Sequence, residues 1–137
     1  MESRLVAAEL DMRALGAALS GRLVVGDIVF LEGELGAGKT TLVRGLLEGL
    51  GYRDTVRSPT FNLVQTFPTH PPVMHADLYR VASHSGIGLE DYLESHLCLI
   101  EWPDRATGLA KPESCWRIRI EFAEGGRKVE IDPPTVK

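Results

Sequence analysis

The chain has 137 residues, of which 44% are hydrophobic and 25% are charged, and its formal net charge is −4 at pH 7. This composition is ordinary for a globular protein, and the length suits a single domain over residues 1–137 without room for a second catalytic domain. An acidic chain also lacks the basic footprint of an independent nucleic-acid-binding protein. There is no apolar run of about 18 residues and no signal-peptide pattern, so we expect no membrane association and a cytoplasmic location.

The first predicted element is an amphipathic helix over residues 5–20. Its apolar residues recur at loosely helical spacing among charged ones, and Gly21 closes the pattern. Residues 28–31 are then apolar without interruption, as expected of a central strand buried on both faces.

The sequence GELGAGKTT at residues 33–41 has the pattern Gly-x-x-x-x-Gly-Lys-Thr of a phosphate-binding loop. The glycines let the backbone curl around a polyphosphate with its N–H groups pointing inward. We expect Lys39 to be exposed at the start of the next helix and to reach the terminal phosphates, and the Thr40 hydroxyl to ligate magnesium. The alternative, a glycine-rich turn with a solvated Lys39, is weak because such a chance match occurs on the order of 1% of the time.

The helix that follows the loop should run to about residue 50, with Gly51 as its C-terminal cap. The next informative segment is Ser-Pro-Thr-Phe at residues 58–61, followed by an alternating run at 62–67 that predicts a strand. The hydroxyls of Ser58 and Thr60 could approach a γ-phosphate or its magnesium. From the residues alone, an ordinary turn with local hydroxyl-to-backbone bonds is the favoured interpretation.

A proline-broken turn at residues 68–72 separates this strand from a second extended run at 73–80, which contains Asp77 near its end. Enzymes that hydrolyse nucleotides on such a loop often have a carboxylate at the end of an apolar strand. A structural ion pair between Asp77 and Arg80 is the alternative. The residues alone leave both interpretations open.

Residues 81–88 predict a polar loop with His84 in solvent, and residues 89–94 predict a short acidic helix whose leucines face the core. His96 and Cys98 are possible metal ligands. No other Cys or His follows them at zinc-site spacing, so we expect no metal site there.

A further buried strand at residues 97–102 contains Glu101 at its end. In phosphate-loop enzymes such an acid holds magnesium from the side opposite the loop threonine. The alternative is that Trp102 and Pro103 simply end the strand and leave Glu101 exposed at its tip. The two cysteines, Cys98 and Cys115, lie in apolar runs and should be buried free thiols.

Two alternating runs near the C-terminus, residues 116–122 and 127–131, flank a Gly-Gly turn and predict a β-hairpin with one wet face. Such a hairpin departs from a purely parallel sheet. The predicted fold class is therefore α/β, a P-loop NTPase-like three-layer fold with a mixed sheet that joins a parallel core to an antiparallel C-terminal hairpin.

Four ordered motifs, GDIVFLEGELGAGKTTLVRGLLEGLG, SPTFNLV, HADLYR and LIEWPDR, resemble the TsaE family, formerly called YjeE, over nearly the whole chain. Members of that family are small bacterial ATPases that make the threonylcarbamoyladenosine modification of tRNA together with the proteins TsaD and TsaB. The resemblance implies the same role here, with ATP and Mg2+ as cofactors. Because the chain is acidic, we expect it to contact tRNA only indirectly.

The resemblance also implies roles for individual residues. Lys39 and the loop amides would contact the phosphates, and Thr40 and Glu101 would bind magnesium. Asp77 would lie near the reacting water, so the implied catalytic residues are Lys39, Asp77 and Glu101. Residues 58–61 would form a nucleotide-sensing switch. The implied nucleotide-binding positions are Glu34, Leu35, Gly36, Ala37, Gly38, Lys39, Thr40, Thr41, Thr60 and Trp102, the last as a wall of the site.

Two features depart from the family pattern. Met12 stands where members often have a hydroxyl residue, four positions before the glycine matching Gly16, and the segment between Arg80 and Gly88 looks short. The first departure puts a hydroxyl contact to the nucleotide in question, and the second suggests different partner docking.

Other functions of a phosphate loop remain as alternatives. A small-molecule kinase would need an acceptor domain or an arginine-bearing lid, for which the chain has little room, and a nucleotide-dependent binding module would never hydrolyse. A GTPase is disfavoured because no Asn-Lys-x-Asp motif occurs. None of Arg44, Arg57 and Arg80 is a compelling arginine finger, so we expect slow ATP hydrolysis that partners stimulate.

Overall fold

The computed structural model describes residues 2–56 and 63–136. Within these residues there are two α-helices, α1 (Glu9–Ser20) and α2 (Lys39–Gly49), and three short 3₁₀ turns, at Leu89–Tyr92, Pro103–Ala106 and Pro112–Ser114. The strands are β1 (Glu2–Val6), β2 (Ile28–Glu32), β3 (Val64–Phe67), β4 (Val73–Asp77), β5 (Leu97–Glu101), β6 (Trp116–Ala123) and β7 (Gly126–Asp132). They form one sheet in the order β1-β7-β6-β2-β5-β4-β3.

The centre of the sheet is parallel. Strand β2 pairs in parallel with β5 and with β6, and β4 pairs in parallel with β5. The outer pairs, β3 with β4, β6 with β7 and β1 with β7, are antiparallel. The predicted α/β class with a mixed sheet and a C-terminal hairpin is confirmed. Because the carboxyl ends of β2, β5 and β4 meet at one edge, the residues that follow these strands are brought together there.

Both faces of the central strands are covered, which explains their uninterrupted apolar sequences. Along β2, Val29 and Leu31 belong to the cluster that contains the core residues of α1 and α2, whereas Ile28 and Phe30 face the opposite side. The layer on that opposite side consists of the 3₁₀ turns and loops between β4 and β6, with Leu89 fully buried. The helical layer and the sheet therefore hold the loop between β2 and α2 from two directions.

The predicted first helix is wrong over residues 5–8. Residues 2–6 form β1, which pairs with β7 along its whole length, and the helix begins only at Glu9. Leu5, which begins the predicted helix, lies on this edge strand and is 65% exposed. The reason is non-local. Strand β7 offers a ladder of hydrogen bonds to residues 121 to 129 positions away in sequence, and this pairing overrides a weak helical pattern.

Other predicted elements are confirmed. Helix α2 ends at Gly49, and Gly51 follows it with a φ of +95°, the left-handed conformation of a helix C-terminal cap. Cys98 and Cys115 are free and buried, and burial raises the pKa of the Cys98 thiol to about 12. None of the helices described here is long and apolar enough to cross a membrane.

His84 is not the solvated loop residue that was predicted. Its side chain is only 11% exposed, and its Nδ1 lies 3.4 Å from a carboxylate oxygen of Glu90. Its Nε2 is 3.2 Å from the carbonyl oxygen of Thr107. The ring therefore ties the loop after β4 to the segment after β5, a contact between distant segments that local sequence does not reveal.

Helices α1 and α2 pack closely at glycines, among them Gly16 and Gly45, and this contact generates a stability prediction. A Cβ at Gly45 would lie 2.1 Å from the carbonyl oxygen of Arg13, and one at Gly16 would lie 2.3 Å from that of Leu42. Since backbone atoms cannot move aside cheaply, Gly45→Ala should lower the free energy of unfolding by about 1–3 kcal/mol, the usual cost of overpacking. Thermal unfolding followed by circular dichroism measures the loss.

The matched control is Gly21→Ala at the end of α1. Gly21 has a φ of −75°, and a Cβ there would meet nothing closer than 3.8 Å. That variant should melt at or slightly above the wild-type temperature. Equal melting temperatures for the two variants would contradict the close packing of the helices.

Candidate functional site

The glycine loop between β2 and α2 has the shape of an anion cradle. Gly36 and Gly38 have φ values of +80° and +118°, which side chains disfavour, and a Cβ at Gly33 would lie 2.8 Å from the carbonyl oxygen of Ile120. Helix α2 starts at this loop, and its N-cap residue, Gly38, has no side chain that could cap the first turn. Its N-terminal amides, with the positive end of the helix dipole, are therefore available for an anion such as a phosphate.

Lys39 is buried, which corrects the prediction that it would be exposed at the helix start. Only 6% of the residue is accessible, because its side chain folds back across the loop. Its ammonium donates a hydrogen bond of 2.6 Å to the carbonyl oxygen of Gly33 and lies 3.7 Å from Oε1 of Glu101. The alternative of a solvated lysine is wrong for the same reason. The ammonium is aimed into the mouth of the loop.

Glu101 ends β5 and is also buried, at 3% exposure. The alternative in which it is exposed at the strand tip is therefore wrong. Its Oε2 lies 2.6 Å from Nε2 of His75, whose side chain is fully buried, while its Oε1 faces Lys39. The carboxylate thus stands between a cation and an imidazole, as a buried charge requires.

Sequence reasoning missed His75 as a site residue. A signal existed, because side chains alternate along a strand and His75 therefore shares a face of β4 with Asp77, two residues later. In the parallel pairing of β4 with β5, Asp77 lies opposite Glu101 and His75 lies opposite Leu99. His75 interrupts an otherwise apolar run, and the next residue pair on the same face of these two strands is Asp77 with Glu101. The histidine therefore lies near the same edge of the sheet as the two carboxylates.

Trp102 covers the ammonium of Lys39. Its ring centroid lies 4.3 Å from Nζ, and its ring packs against that of Tyr79 with the centroids 4.9 Å apart. Trp102 has φ 62° and ψ 60°, and it alone among the described non-glycine residues has a positive φ. Such a conformation costs on the order of 1–3 kcal/mol. Packing against Lys39 and Tyr79 holds the ring beside the loop, and its role as a wall of a nucleotide site stays a prediction.

Asp77 stands at the end of β4, partly exposed, in register with Glu101. One of its carboxylate oxygens accepts the backbone N–H of Tyr79 at 3.0 Å, which fixes the side chain at the edge of the sheet. The structure therefore brings the predicted catalytic residues Lys39, Asp77 and Glu101 to one edge.

The remaining predicted nucleotide-binding residues lie in and after the loop. Glu34, Leu35 and Gly36 are exposed at its tip, Ala37 is buried, and Gly38, Thr40 and Thr41 are partly exposed where α2 begins. Thr60, like all of segment 58–61, lies outside the described residues.

Met12, the departure from the family pattern, lies beneath the loop. It is 3% exposed, and a Cβ on Gly38 would be 3.1 Å from its Cε. Here the side chain supports the loop by apolar contact where a hydroxyl would offer a hydrogen bond. Arg127, which sequence reasoning also missed, donates to the carbonyl oxygen of Ala37 at 3.1 Å and so anchors the other side of the loop.

Cavities flank the loop on both sides. One of about 350 Å³ lies between the start of α1 and the loop and is lined by Met12, Thr41 and Arg127, among others. Another of about 630 Å³ extends from Gly33 past Trp102 to the end of β6. The loop is therefore accessible from both sides to a ligand that is longer than a single phosphate.

Comparison with known proteins identifies the family. Residues 6–129 match the sequence model of the family described as threonylcarbamoyl adenosine biosynthesis protein TsaE. This chain belongs to the TsaE family. The resemblance seen in the four sequence motifs is thereby confirmed.

Individual relatives agree with this assignment. The tRNA threonylcarbamoyladenosine biosynthesis protein TsaE of Streptomyces coelicolor is 40% identical over 132 residues, which cover 91% of this chain and 88% of that protein. The protein of the same name from Haemophilus influenzae is 38% identical over 109 residues, covering 76% of this chain and 68% of that one. A crystal structure of YdiB from Bacillus subtilis shares the fold with a TM-score of 0.82 and 26% identity, over 97% of this chain and 85% of that one.

The burial of Lys39 generates a prediction for chemical labelling. Lys111 and Lys128 are exposed, whereas the ammonium of Lys39 is bonded to Gly33 and covered by Trp102. An amine-reactive ester should therefore modify Lys111 and Lys128 much faster than Lys39 in the folded protein without ligand. Mass spectrometry of peptides after short exposure measures the three rates. In denaturant the rates should converge, and equal rates in the folded protein would contradict the inward position of Lys39.

Proposed function

We propose that this TsaE-family chain is an ATP-binding and ATP-hydrolysing subunit of the machinery that makes threonylcarbamoyladenosine in tRNA. In this proposal it depends on Mg2+, works with TsaD and TsaB in the cytoplasm, and meets tRNA only through them. The observation that carries the proposal is the convergence of Lys39 and Glu101, 3.7 Å apart, at the mouth of a glycine loop that begins an uncapped helix.

The loop residues suit the binding of a polyphosphate. Lys39 already points inward, and its bond to the Gly33 carbonyl can be exchanged for a bond to a phosphate oxygen without a change of fold. A phosphate is the better partner for the ammonium because it carries a full negative charge. The amides of the first turn of α2 supply neutral donors for the same anion.

Two oxygen-bearing side chains, the hydroxyl of Thr40 and the carboxylate of Glu101, are the proposed magnesium ligands. Both are hard oxygen donors of the kind that magnesium prefers, and they come from the start of α2 and from the end of β5. Bound magnesium would neutralise charge on the phosphate oxygens during phosphoryl transfer.

Asp77 is proposed to hold the attacking water. Its partial exposure gives a water molecule access, and among the described residues the Tyr79 amide bonds only to Oδ1, so Oδ2 is proposed to accept a hydrogen bond from that water. Its position opposite Glu101 keeps this role close to the phosphates. A residue that orients water in this way contributes through positioning and does not need to bind the nucleotide itself.

Cations around the site are engaged in structural contacts, which supports a partner-dependent reaction. Arg105 donates to the carbonyl oxygen of Tyr79 at 3.0 Å, Arg119 pairs with Glu32 at 3.2 Å, and Arg127 binds the loop carbonyl of Ala37. An arginine finger accelerates phosphate-loop enzymes by about 10³–10⁵-fold. We propose that docking on TsaD and TsaB supplies such a cation.

Phosphate release tests this function directly. The chain alone should release phosphate from ATP far more slowly than the enzyme median of about 10 per second. Addition of TsaD, TsaB and tRNA should raise the rate, and Lys39→Ala should release none under either condition because it lacks the phosphate contact. Steady-state measurement of inorganic phosphate, with Mg2+ and with chelator, gives these rates.

The other outcomes contradict the proposal in distinct ways. Autonomous hydrolysis near the median rate, or partners without effect, would remove the partner-dependent step. Transfer of phosphate to a small acceptor would indicate a kinase. Tight ATP binding without release in the complete mixture would indicate a nucleotide-dependent binding module.

A further inference from the structure

His75 occupies a position where an apolar residue would be simpler. It lies in the middle of β4, its side chain is fully buried, and its strand neighbours Met74 and Ala76 are apolar and buried as well. In such surroundings a polar ring costs stability unless its hydrogen bonds are satisfied. Its Nε2 has a partner in Glu101, but its Nδ1 finds no hydrogen-bond partner among the described residues. Because a buried ring with one unpaired nitrogen lowers stability, packing alone does not explain a histidine at this position.

The contact with Glu101 supplies the reason. The distance of 2.6 Å between Nε2 and Oε2 is that of a short, strong hydrogen bond, with the imidazole N–H donating to the carboxylate. Because a carboxylate oxygen accepts and does not donate, Nε2 is the ring nitrogen whose proton makes this contact. Because Oε2 is taken by His75, Oε1 is the oxygen that faces the loop and Lys39.

Of the two partners of Glu101, Lys39 would move away when phosphate binds, whereas His75 would stay in place. Lys39 lies 3.7 Å from Oε1, beyond hydrogen-bond distance, and in the proposed function its ammonium is drawn toward phosphate. His75 lies on the neighbouring strand β4, which pairs with β5 along its whole length. In the proposed function it does not bind phosphate, so nothing draws it away from Glu101. When Lys39 changes partner, the imidazole is the contact that still fixes the carboxylate.

We propose that His75 is a positioning residue that holds the Glu101 carboxylate so that Oε1 faces the loop, where magnesium is bound. This inference rests on the proposed function, in which Glu101 is a magnesium ligand. Carboxylates that bind metals are themselves oriented by hydrogen bonds from neighbouring groups, and loss of such a group typically costs 10–100-fold in metal affinity or activity. His75 touches neither the nucleotide nor the metal in this assignment and acts through Glu101 alone.

The test compares two amides at position 75. The side-chain nitrogen of glutamine reaches about as far as Nε2 of histidine, whereas that of asparagine ends near the position of Nδ1, too short to reach Glu101. His75→Gln should therefore keep the contact and His75→Asn should lose it, with similar polarity in the two variants. The measurement is the Mg2+ concentration that gives half-maximal binding of a non-hydrolysable ATP analogue, by calorimetry.

His75→Asn should raise the half-saturating Mg2+ concentration by about 10–100-fold, while His75→Gln should stay close to wild type. Binding of the same analogue in the presence of chelator should be unchanged in both, because the loop and Lys39 are intact. In a Glu101→Gln background the change to asparagine should have no further effect on the Mg2+ requirement, since its influence passes through the carboxylate. Thermal unfolding confirms that each variant is folded, and His75→Leu replaces His75→Asn, with the same expectation, if the latter does not fold.

A wild-type Mg2+ requirement in folded His75→Asn, combined with a raised requirement in Glu101→Gln, overturns the role of His75 and leaves the proposed function standing. An unchanged requirement in Glu101→Gln overturns the magnesium role of Glu101, and the inference about His75 falls with it. Equal losses in His75→Asn and His75→Gln, or weaker binding in chelator, would assign His75 to packing and also contradict the inference.

Discussion

The buried ammonium of Lys39 is the constraint on which the rest of the site depends. A charge with 6% exposure is tolerated only if polar groups surround it, and here the Gly33 carbonyl, the Glu101 carboxylate and the Trp102 ring do so. Each of these partners is costly to place. Gly33 lies too close to β6 for a side chain, Glu101 is a buried acid, and Trp102 holds a strained backbone conformation. All three unfavourable features lie at one edge of the sheet, where β2 leads into the loop.

The parallel centre of the sheet explains how residues far apart in the chain meet at this edge. Strand β2 leads into the loop, β5 ends in Glu101 and β4 ends in Asp77, and the three strands are neighbours with aligned carboxyl ends. Rigid strands position side chains more accurately than loops do. Helix α1 packs against α2 through close backbone contacts at glycines, and this packing fixes the position of the helix that carries Lys39. The described site residues are therefore positioned by the fold itself, and such preorganisation would reduce the cost of binding a ligand.

Much of this arrangement was predictable from the sequence because the signals were local. The apolar run of β2, the glycine loop and the start of α2 form one continuous pattern, and the acid at the end of β5 follows the same logic. Strand β1 was not predictable, since it exists through pairing with β7 at the other end of the chain. The burial of Lys39 also escaped, because it depends on the side chain folding back across its own loop onto the Gly33 carbonyl. The contact of His75 with Glu101 escaped because it depends on the register of β4 along β5. Sequence alone names the charged groups, and strand register decides which of them become partners.

The central claim, that Lys39 and Glu101 form a nucleotide and magnesium site, is tested most directly by a crystal structure with Mg2+ and a non-hydrolysable ATP analogue. The account predicts that Nζ of Lys39 leaves the Gly33 carbonyl for a phosphate oxygen, while Glu101 keeps its contact with His75 and faces the metal. A nucleotide bound away from the loop, or an ammonium that stays on Gly33 with the nucleotide present, would contradict it.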